Sequence, residues 1–291
     1  MNIVSLFNGM NTGRQALENV GIKVDKYYSS EIKPYAIELT QHHFPDTIQV
    51  GDVTKWREWD IDWKTIDLVL SGSPCQDLSA AGKRAGINGK KSSLFFVFVE
   101  ILEYIKTLNP NVLFLQENVG SASKLDVGIM SRALGVYPVR INSSLVTAQL
   151  RDRYYWSNIR TKETMFDIVT DIPRPKDKLI LLQDILENGT ALSKKHCCLT
   201  ERYCSAYYFK SFDSDKAQKY MFERFRLKGL ITLIKKECGK YRICTQIELE
   251  RMQGFKDNYT SILKYKDAGS LLGDGWTLPI IEHIFSFIVA D

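Results

Sequence analysis

Along the first 160 residues, apolar runs of strand length alternate with stretches of helical period. NIVSLF leads into RQALENVG, KVDKYYSS into PYAIELTQHHF, and TIDLVLSG into a loop and then LFFVFVEILEYIKTL; NVLFLQEN closes the series. Strand followed by helix, repeated, predicts an α/β fold: a parallel sheet with crossover helices on both faces. In such sheets ligands collect beyond the carboxyl ends of the strands. Phe7, Glu31, Asp52, Cys75 and Glu117 all fall at or just past those predicted ends.

Beyond Arg160 the alternation stops. DIPRPKDK carries two prolines and several charges, and residues 187–242 mix basic, aromatic and short apolar groups without a clean period. This predicts a smaller, irregular domain over 161–261, with 1–160 and 262–291 forming the main one. After the Gly-rich turn GDGWT, the apolar pattern LPIIEHIFSFI predicts a last helix that returns to the first domain. No repeat or low-complexity segment is present.

Composition changes this picture little. At 291 residues, 44% hydrophobic and 25% charged, the chain is long enough for one large domain or a domain with a smaller companion. No apolar stretch approaches the roughly 20 residues of a membrane span. The amino terminus lacks the basic region and cleavage site of a signal peptide, so an intracellular protein with reduced cysteines is expected. The net charge of +5 favours a polyanionic partner. Lys83, Arg84, Lys90 and Lys91 cluster after Cys75, and Lys195 and Arg202 lie in a stretch rich in Tyr and Phe. Basic residues interleaved with aromatics can track phosphates and pack on bases, although a solvated face has the same composition. His196, Cys197, Cys198 and Cys204 are poorly spaced for a tetrahedral metal, and no metal site is expected.

Several residues invite chemistry. In SLFNGMNTG, Gly9 and Gly13 let the backbone turn tightly before a helix, and Phe7 stands ready to stack. A nicotinamide cofactor would want a G-x-G-x-x-G fingerprint; the middle glycine is missing, which favours a compact adenosyl ligand. Glu31, about 20 residues on, can accept from ribose hydroxyls, and Asp52 from an adenine amine. Each is also a common cap or turn residue. Cys75, directly after Pro74, sits past a buried strand next to basic residues, a setting that lowers a thiol pKa. Its alternative is a buried structural thiol. Glu117, at the exit of an apolar strand, is a candidate acid. Arg151 and Arg153 alternate as though on one strand face, placed either to hold an anionic oxygen or to form edge ion pairs.

Taken together, FNGMNTG, Glu31, GDVT, GSPCQDLS, QENV, QLRDRYYWSN, TQIELERMQGFKDNY and GDGWTLP resemble, in order and across nearly the whole chain, the cytosine-5 DNA methyltransferases. The two end motifs look closest to the de novo, animal-type branch. The resemblance implies a Rossmann-like S-adenosylmethionine-dependent sheet and, over 161–261, a target-recognition domain that meets double-stranded DNA. It implies that Cys75 attacks C6 of a flipped cytosine, that Glu117 binds N3 and the exocyclic amine, and that Arg153 and Arg151 hold O2 and nearby phosphate. Phe7, Asn8, Gly9, Met10, Asn11, Thr12, Glu31, Ile32, Asp52, Val53, Thr54, Pro74, Leu94, Asp274, Gly275 and Trp276 would surround the cofactor. Ser79, Lys83, Arg84, Lys90, Lys91, Lys195 and Arg202 would touch DNA. Asp274 departs from the family pattern, where bacterial relatives carry Gly-Asn in place of Gly273-Asp274. The short recognition region implies a site of about two to four base pairs. A prokaryotic or phage-encoded cytoplasmic enzyme is expected, or a nuclear one if eukaryotic, with no sequence sign of oligomerisation. The rival readings are a tRNA cytosine-5 methyltransferase, whose Cys-Phe-Thr insertion is absent, and a noncatalytic DNA-binding relative, which would not need both the cysteine and the acid.

Overall fold

A computed structural model describes residues 1–74, 94–200 and 232–288. The described chain divides into two compact units: residues 1–141, 152–174 and 281–291 form one, and residues 142–151 and 175–280 the other.

The first unit is built on a mixed sheet. Strands β1 (Asn2–Leu6), β2 (Lys26–Ser30), β3 (Ile48–Gln49), β4 (Leu68–Ser71), β5 (Leu113–Val119), β6 (Val139–Asn142) and β7 (Asp152–Ser157) lie in the order β3-β2-β1-β4-β5-β7-β6. Strands β3, β2, β1, β4 and β5 are parallel neighbours, and β7 runs antiparallel to β5. Helices α1 (Thr12–Asn19), α2 (Pro34–His43), α3 (Leu94–Leu108) and α4 (Lys124–Leu134) alternate with the strands, as the apolar periodicity requires. The central strands are buried along their length because helices cover both faces. Val4, Leu6, Val69, Phe95, Phe98, Phe114 and Trp156 share one core, each side chain contributing about 1.5–3 kcal/mol by leaving water. The Trp156 indole is not left unpaired: it donates to Ser131 Oγ at 2.9 Å.

A hairpin, β8 (Thr161–Glu163) with β9 (Ile168–Thr170), continues this unit past residue 160. The last helix, α8 (Leu278–Phe285), returns its carboxyl half to the same unit, where His283 Nε2 meets Pro173 O at 2.7 Å and Arg160 lies over the Phe287 ring.

The second unit holds α5 (Leu182–Ile185), β10 (Thr190–Ala191), β11 (Ile234–Lys235), β12 (Tyr241–Arg242), α6 (Gln246–Gln253), α7 (Tyr265–Asp274) and the start of α8 (Leu278–Phe285). Strands β10, β11 and β12 form a small antiparallel sheet. Helix α6 carries a capping box: Thr245 Oγ1 accepts from Glu248 N, and Glu248 Oε2 from Thr245 N. Residues 262–280, expected from their sequence to join the first domain, pack here with 175–261. The physical reason is a buried polar network. Gln149 Nε2 donates to Met252 O and Gln253 Oε1, Thr277 Oγ1 to Gln253 Oε1, and Ser143 Oγ to Thr277 Oγ1, each at 2.9–3.0 Å. Those bonds carry 142–151 with them. No described helix is long and apolar enough to cross a membrane.

Candidate active site

In the first unit the strand order reverses between β1 and β4, and that switch point is where an open α/β sheet leaves a crevice at its carboxyl edge. Residues 7–12 follow β1, Glu31 follows β2, Asp52 follows β3, Ser73 and Pro74 follow β4, and Glu117 lies near the end of β5. Five sequence-distant segments are thus brought to one edge.

The loop after β1 is bent by backbone conformation. Phe7 (φ 56°), Gly9 (φ 58°) and Asn11 (φ 62°) all take left-handed geometry, which two non-glycine residues adopt at a cost. Asn8 anchors the bend: its amide donates to Ser30 O (3.1 Å), and its Oδ1 accepts from the Tyr27 hydroxyl (3.1 Å). Burial pushes the Tyr27 phenol well above its usual range, so it stays a donor. Asn11 stands at the N-cap of α1 and makes no side-chain cap. Its side chain is fully buried, and neither its Nδ2 nor its Oδ1 has a partner among the described residues. The first-turn N–H groups of α1 therefore lack the usual side-chain acceptor. Met10 and Thr12 are buried beside it.

Glu31 braces this loop. Oε2 accepts from Gly9 N at 2.8 Å, and Oε1 accepts from Ile32 N (2.8 Å) and Lys33 N (2.9 Å). The carboxylate holds the turn and the entry to α2 while keeping an acceptor site in reserve. Ile32 itself is 71% exposed. Asp52 Oδ1 accepts from Thr54 N and Thr54 Oγ1, both at 2.9 Å, which holds its carboxyl below the usual range and leaves Oδ2 without a partner among the described residues. Val53 is buried, and Trp56 pins this turn by packing edge-on against Trp63 and tilted against Tyr104 of α3. Leu94 opens α3 and is half-buried.

Strand β5 uses its two faces differently. Glu117 and Arg153 lie on one face, since β5 and β7 pair with Glu117 opposite Tyr155 and Val119 opposite Arg153. Arg153 Nε meets Glu117 Oε1 at 2.7 Å, with both side chains about nine-tenths buried. On the other face, Gln116 Nε2 donates to Ser73 Oγ (2.9 Å), and Asn118 Nδ2 contacts Ser73 Oγ (3.3 Å). Ser73 is two residues before Cys75, so these amides fix the chain as it enters the Pro-Cys segment. Gln116 Oε1 is buried without a partner among the described residues. At Gly120 a Cβ would stand 2.8 Å from Asp152 Cγ, so the close approach of β5 and β7 needs glycine there.

Two sequence expectations are corrected. Arg151 precedes β7 instead of sharing a strand face with Arg153. Arg151 is 2% exposed, and its guanidinium donates to Leu199 O (2.9 Å), Gly273 O (3.1 Å) and Gly275 O (2.7 Å), so backbone carbonyls hold it. Lys195, expected to meet DNA, turns its Nζ inward to Ser144 O (2.7 Å) and Thr147 O (2.8 Å), and burial lowers its pKa. Asp274 ends α7 with its side chain exposed, while Gly275 and Trp276 are half-buried. Cys75, Ser79, Lys83, Arg84, Lys90, Lys91 and Arg202 lie outside the described residues.

Sequence reasoning missed Ser73, Gln116 and Asn118 as a unit. The available signal was the polar pair flanking Glu117 in a strand otherwise built of Val, Leu and Phe. The loop fits a ligand with an aromatic face and its own hydrogen-bonding groups: left-over polar atoms, an uncapped helix and a braced carboxylate converge there. Among the described residues no cluster of His, Cys, Asp or Glu has the arrangement to hold a metal.

Comparison with known proteins agrees with this geometry. The orphan methyltransferase M.SPRI of Bacillus phage SPR is 33% identical over 175 residues, a stretch covering 55% of this chain and 38% of the phage protein. The chain therefore aligns with well under half of that relative's length. The type II methyltransferase M1.ScrFI of Lactococcus lactis subsp. cremoris is 26% identical over 304 aligned positions, covering 97% of this chain and 76% of the relative. A solved DNMT2 from Spodoptera frugiperda superposes with a TM-score of 0.64 at 18% identity, covering 99% of each chain, which shows the shared fold. Residues 1–290 match the family described as C-5 cytosine-specific DNA methylase, and the chain belongs to that family.

Proposed function

We propose that this chain is a DNA (cytosine-5)-methyltransferase acting on a cytosine flipped out of duplex DNA within a short recognition sequence. S-adenosylmethionine supplies the methyl group when bound. Phe7, the backbone of residues 8–12, the Asn11 amide, Glu31, Ile32, Asp52, Val53, Thr54, Pro74 and Leu94 would hold it from the sheet edge. The carrying observation is the buried Glu117–Arg153 pair. A carboxylate fixed by a guanidinium at a strand end offers an acceptor for the exocyclic amine and N3 of cytosine, and the guanidinium offers donors for O2.

Family membership supports the chemistry assigned to Cys75. Its thiolate forms a C–S bond at C6, the ring electrons make C5 nucleophilic, C5 gains methyl and loses its proton to a base, and the C–S bond breaks. An extrahelical base is required because C6 is inaccessible within the stack. Ser79, Lys83, Arg84, Lys90, Lys91 and Arg202 are assigned to the DNA backbone and Arg151 and Lys195 are not. With relatives from a bacteriophage and a Lactococcus, we place the reaction in a bacterial cytoplasm.

The test is transfer of labelled methyl to unmethylated plasmid DNA and, in parallel, to total tRNA, followed by bisulfite sequencing. Label at C5 of cytosine in one context of about two to four base pairs is the expected result. Label confined to tRNA, or absent from both, overturns the reading. In the same assay Cys75→Ala should lose methyl transfer by a factor on the order of 10⁵ while retaining DNA binding.

A further inference from the structure

Tyr27, in β2, is fully buried, and its side chain touches both ends of the loop that joins β1 to α1. At the near end its hydroxyl donates to Asn8 Oδ1 at 3.1 Å. Asn8 is also tied through its backbone: its N–H donates to Ser30 O (3.1 Å), and its carbonyl accepts from Asn11 N (3.2 Å), which closes the turn that holds the left-handed Gly9 and Asn11. At the far end Arg14, in the first turn of α1, lies over the Tyr27 ring, 5.7 Å from its centroid, and the Arg14 amide hydrogen-bonds the same phenol. Arg14 is itself fixed, with Nη2 2.9 Å from Asp46 Oδ2 and its guanidinium 5.5 Å from the centroid of the Phe44 ring. One buried side chain thus grips residues 9–13 from both flanks, and every residue of the arrangement belongs to the first unit.

Left-handed backbone at Phe7 and Asn11 persists only where the surroundings over-determine it. The gripped loop lies at the switch point of the sheet, its helix has no side-chain cap, and the buried Asn11 amide has no partner among the described residues, so the strained segment is also the one with hydrogen-bonding groups left for a ligand. We infer that Tyr27 is a positioning residue for the cofactor: through Asn8 it holds residues 7–12 in the left-handed shape that receives S-adenosylmethionine. This rests on the function proposed above. A loop that is in the receiving shape for only a fraction of the time binds with an affinity reduced by that fraction, so loss of the grip shows in binding and not in the chemical step. The measurement is calorimetric titration of the full chain with S-adenosylhomocysteine, which requires no turnover, together with steady-state kinetics on DNA.

Tyr27→Phe removes one hydroxyl and keeps the ring against Arg14. It should weaken S-adenosylhomocysteine binding about fivefold and raise KM for S-adenosylmethionine to match, with kcat at saturating cofactor within about twofold of wild type. Asn8→Ala should weaken binding at least as much, and adding Tyr27→Phe to it should change Kd by less than about twofold more, because the route through Asn8 is already cut. An unchanged Kd in Tyr27→Phe overturns the inference even where the thermal midpoint falls, since the hydroxyl would then serve stability alone. Effects that multiply in full in the double variant overturn it as well, because Tyr27 and Asn8 would then act separately. Should Tyr27→Phe not fold, an unaltered Kd in Asn8→Ala overturns it equally. A wild-type chain that neither binds S-adenosylhomocysteine nor transfers methyl refutes the proposed function, and this inference with it.

Discussion

The carboxyl edge of the main sheet and the network around residues 142–151 and 253–277 are both rich in buried polar groups, but they differ in how those groups are used. At the sheet edge the Asn11 amide, Gln116 Oε1, Ser29 Oγ and Ser71 Oγ are buried without partners among the described residues, and Phe7 and Asn11 hold left-handed backbone. In the network, Gln149, Gln253, Thr277, Ser143 and Arg151 all have hydrogen-bond partners in one another or in nearby carbonyls. An unpaired buried polar atom costs about 1–3 kcal/mol, so a folded chain keeps several together only where something else offsets the cost. At the sheet edge that left-over capacity suits a ligand with its own hydrogen-bonding groups, whereas the pairing within the network suits scaffold.

Substitutions at the two regions should therefore fail in different ways. The largest effect is expected at the Glu117–Arg153 pair. Glu117→Gln should lower kcat by about 10²–10⁴ with the fold intact, and Arg153→Ala should also destabilise by about 3–5 kcal/mol because it strands a buried carboxylate; single-turnover kinetics and denaturant melts separate the two. Next is Gln149→Leu in the scaffold, expected to lose about 1–3 kcal/mol of stability in urea melts while the S-adenosylhomocysteine Kd stays within about twofold. At the sheet edge the sign reverses. Asn11→Gly relieves the left-handed strain and removes the unpaired amide, so stability should rise by about 1 kcal/mol while cofactor affinity falls. An Asn11→Gly variant that loses stability and keeps affinity would dissolve the distinction between the regions.

The smallest effect is a pH dependence. The folded pKa of Asp52 is depressed by its bonds to Thr54. Its contribution is therefore fully present above the unfolded value of about 3.9 and is lost as pH falls through the folded value. The stability difference between wild type and Asp52→Asn should disappear on acidification, read by thermal melts at a series of pH values.

Much of the main sheet is legible in the amino-acid pattern. NIVSLF, KVDKYYSS and TIDLVLSG contain β1, β2 and β4, NVLFLQEN covers all but the last residue of β5, and LFFVFVEILEYIKTL is α3 residue for residue, because continuous apolar runs leave a chain few alternatives to burial. The edge elements are not legible in this way: β3 has two residues, and the 3₁₀ turn at Val53–Glu58 is held by tryptophan packing and not by periodicity. Glu31 and Asp52 are readable as acceptors at strand ends, and their bonds to Gly9 N and Thr54 N account for where they sit. Arg151 and Lys195 depart from expectation for one reason. A cation in sequence carries no sign of which way it will turn, and both turn inward to carbonyls supplied by segments far along the chain.

Strand and helix order, the placing of candidate ligands at the carboxyl edge and, through ordered motifs, the family all follow from the chain's linear pattern, because local periodicity and residue identity suffice for them. Which buried polar groups are paired follows only from the folded arrangement. That arrangement joins Glu117 to Arg153 across antiparallel strands, sets Arg151 against the end of α7 and leaves the Asn11 side chain without a partner among the described residues. Hydrogen bonds between residues 36 to 124 positions apart depend on how the chain closes on itself, and no local pattern records that closure.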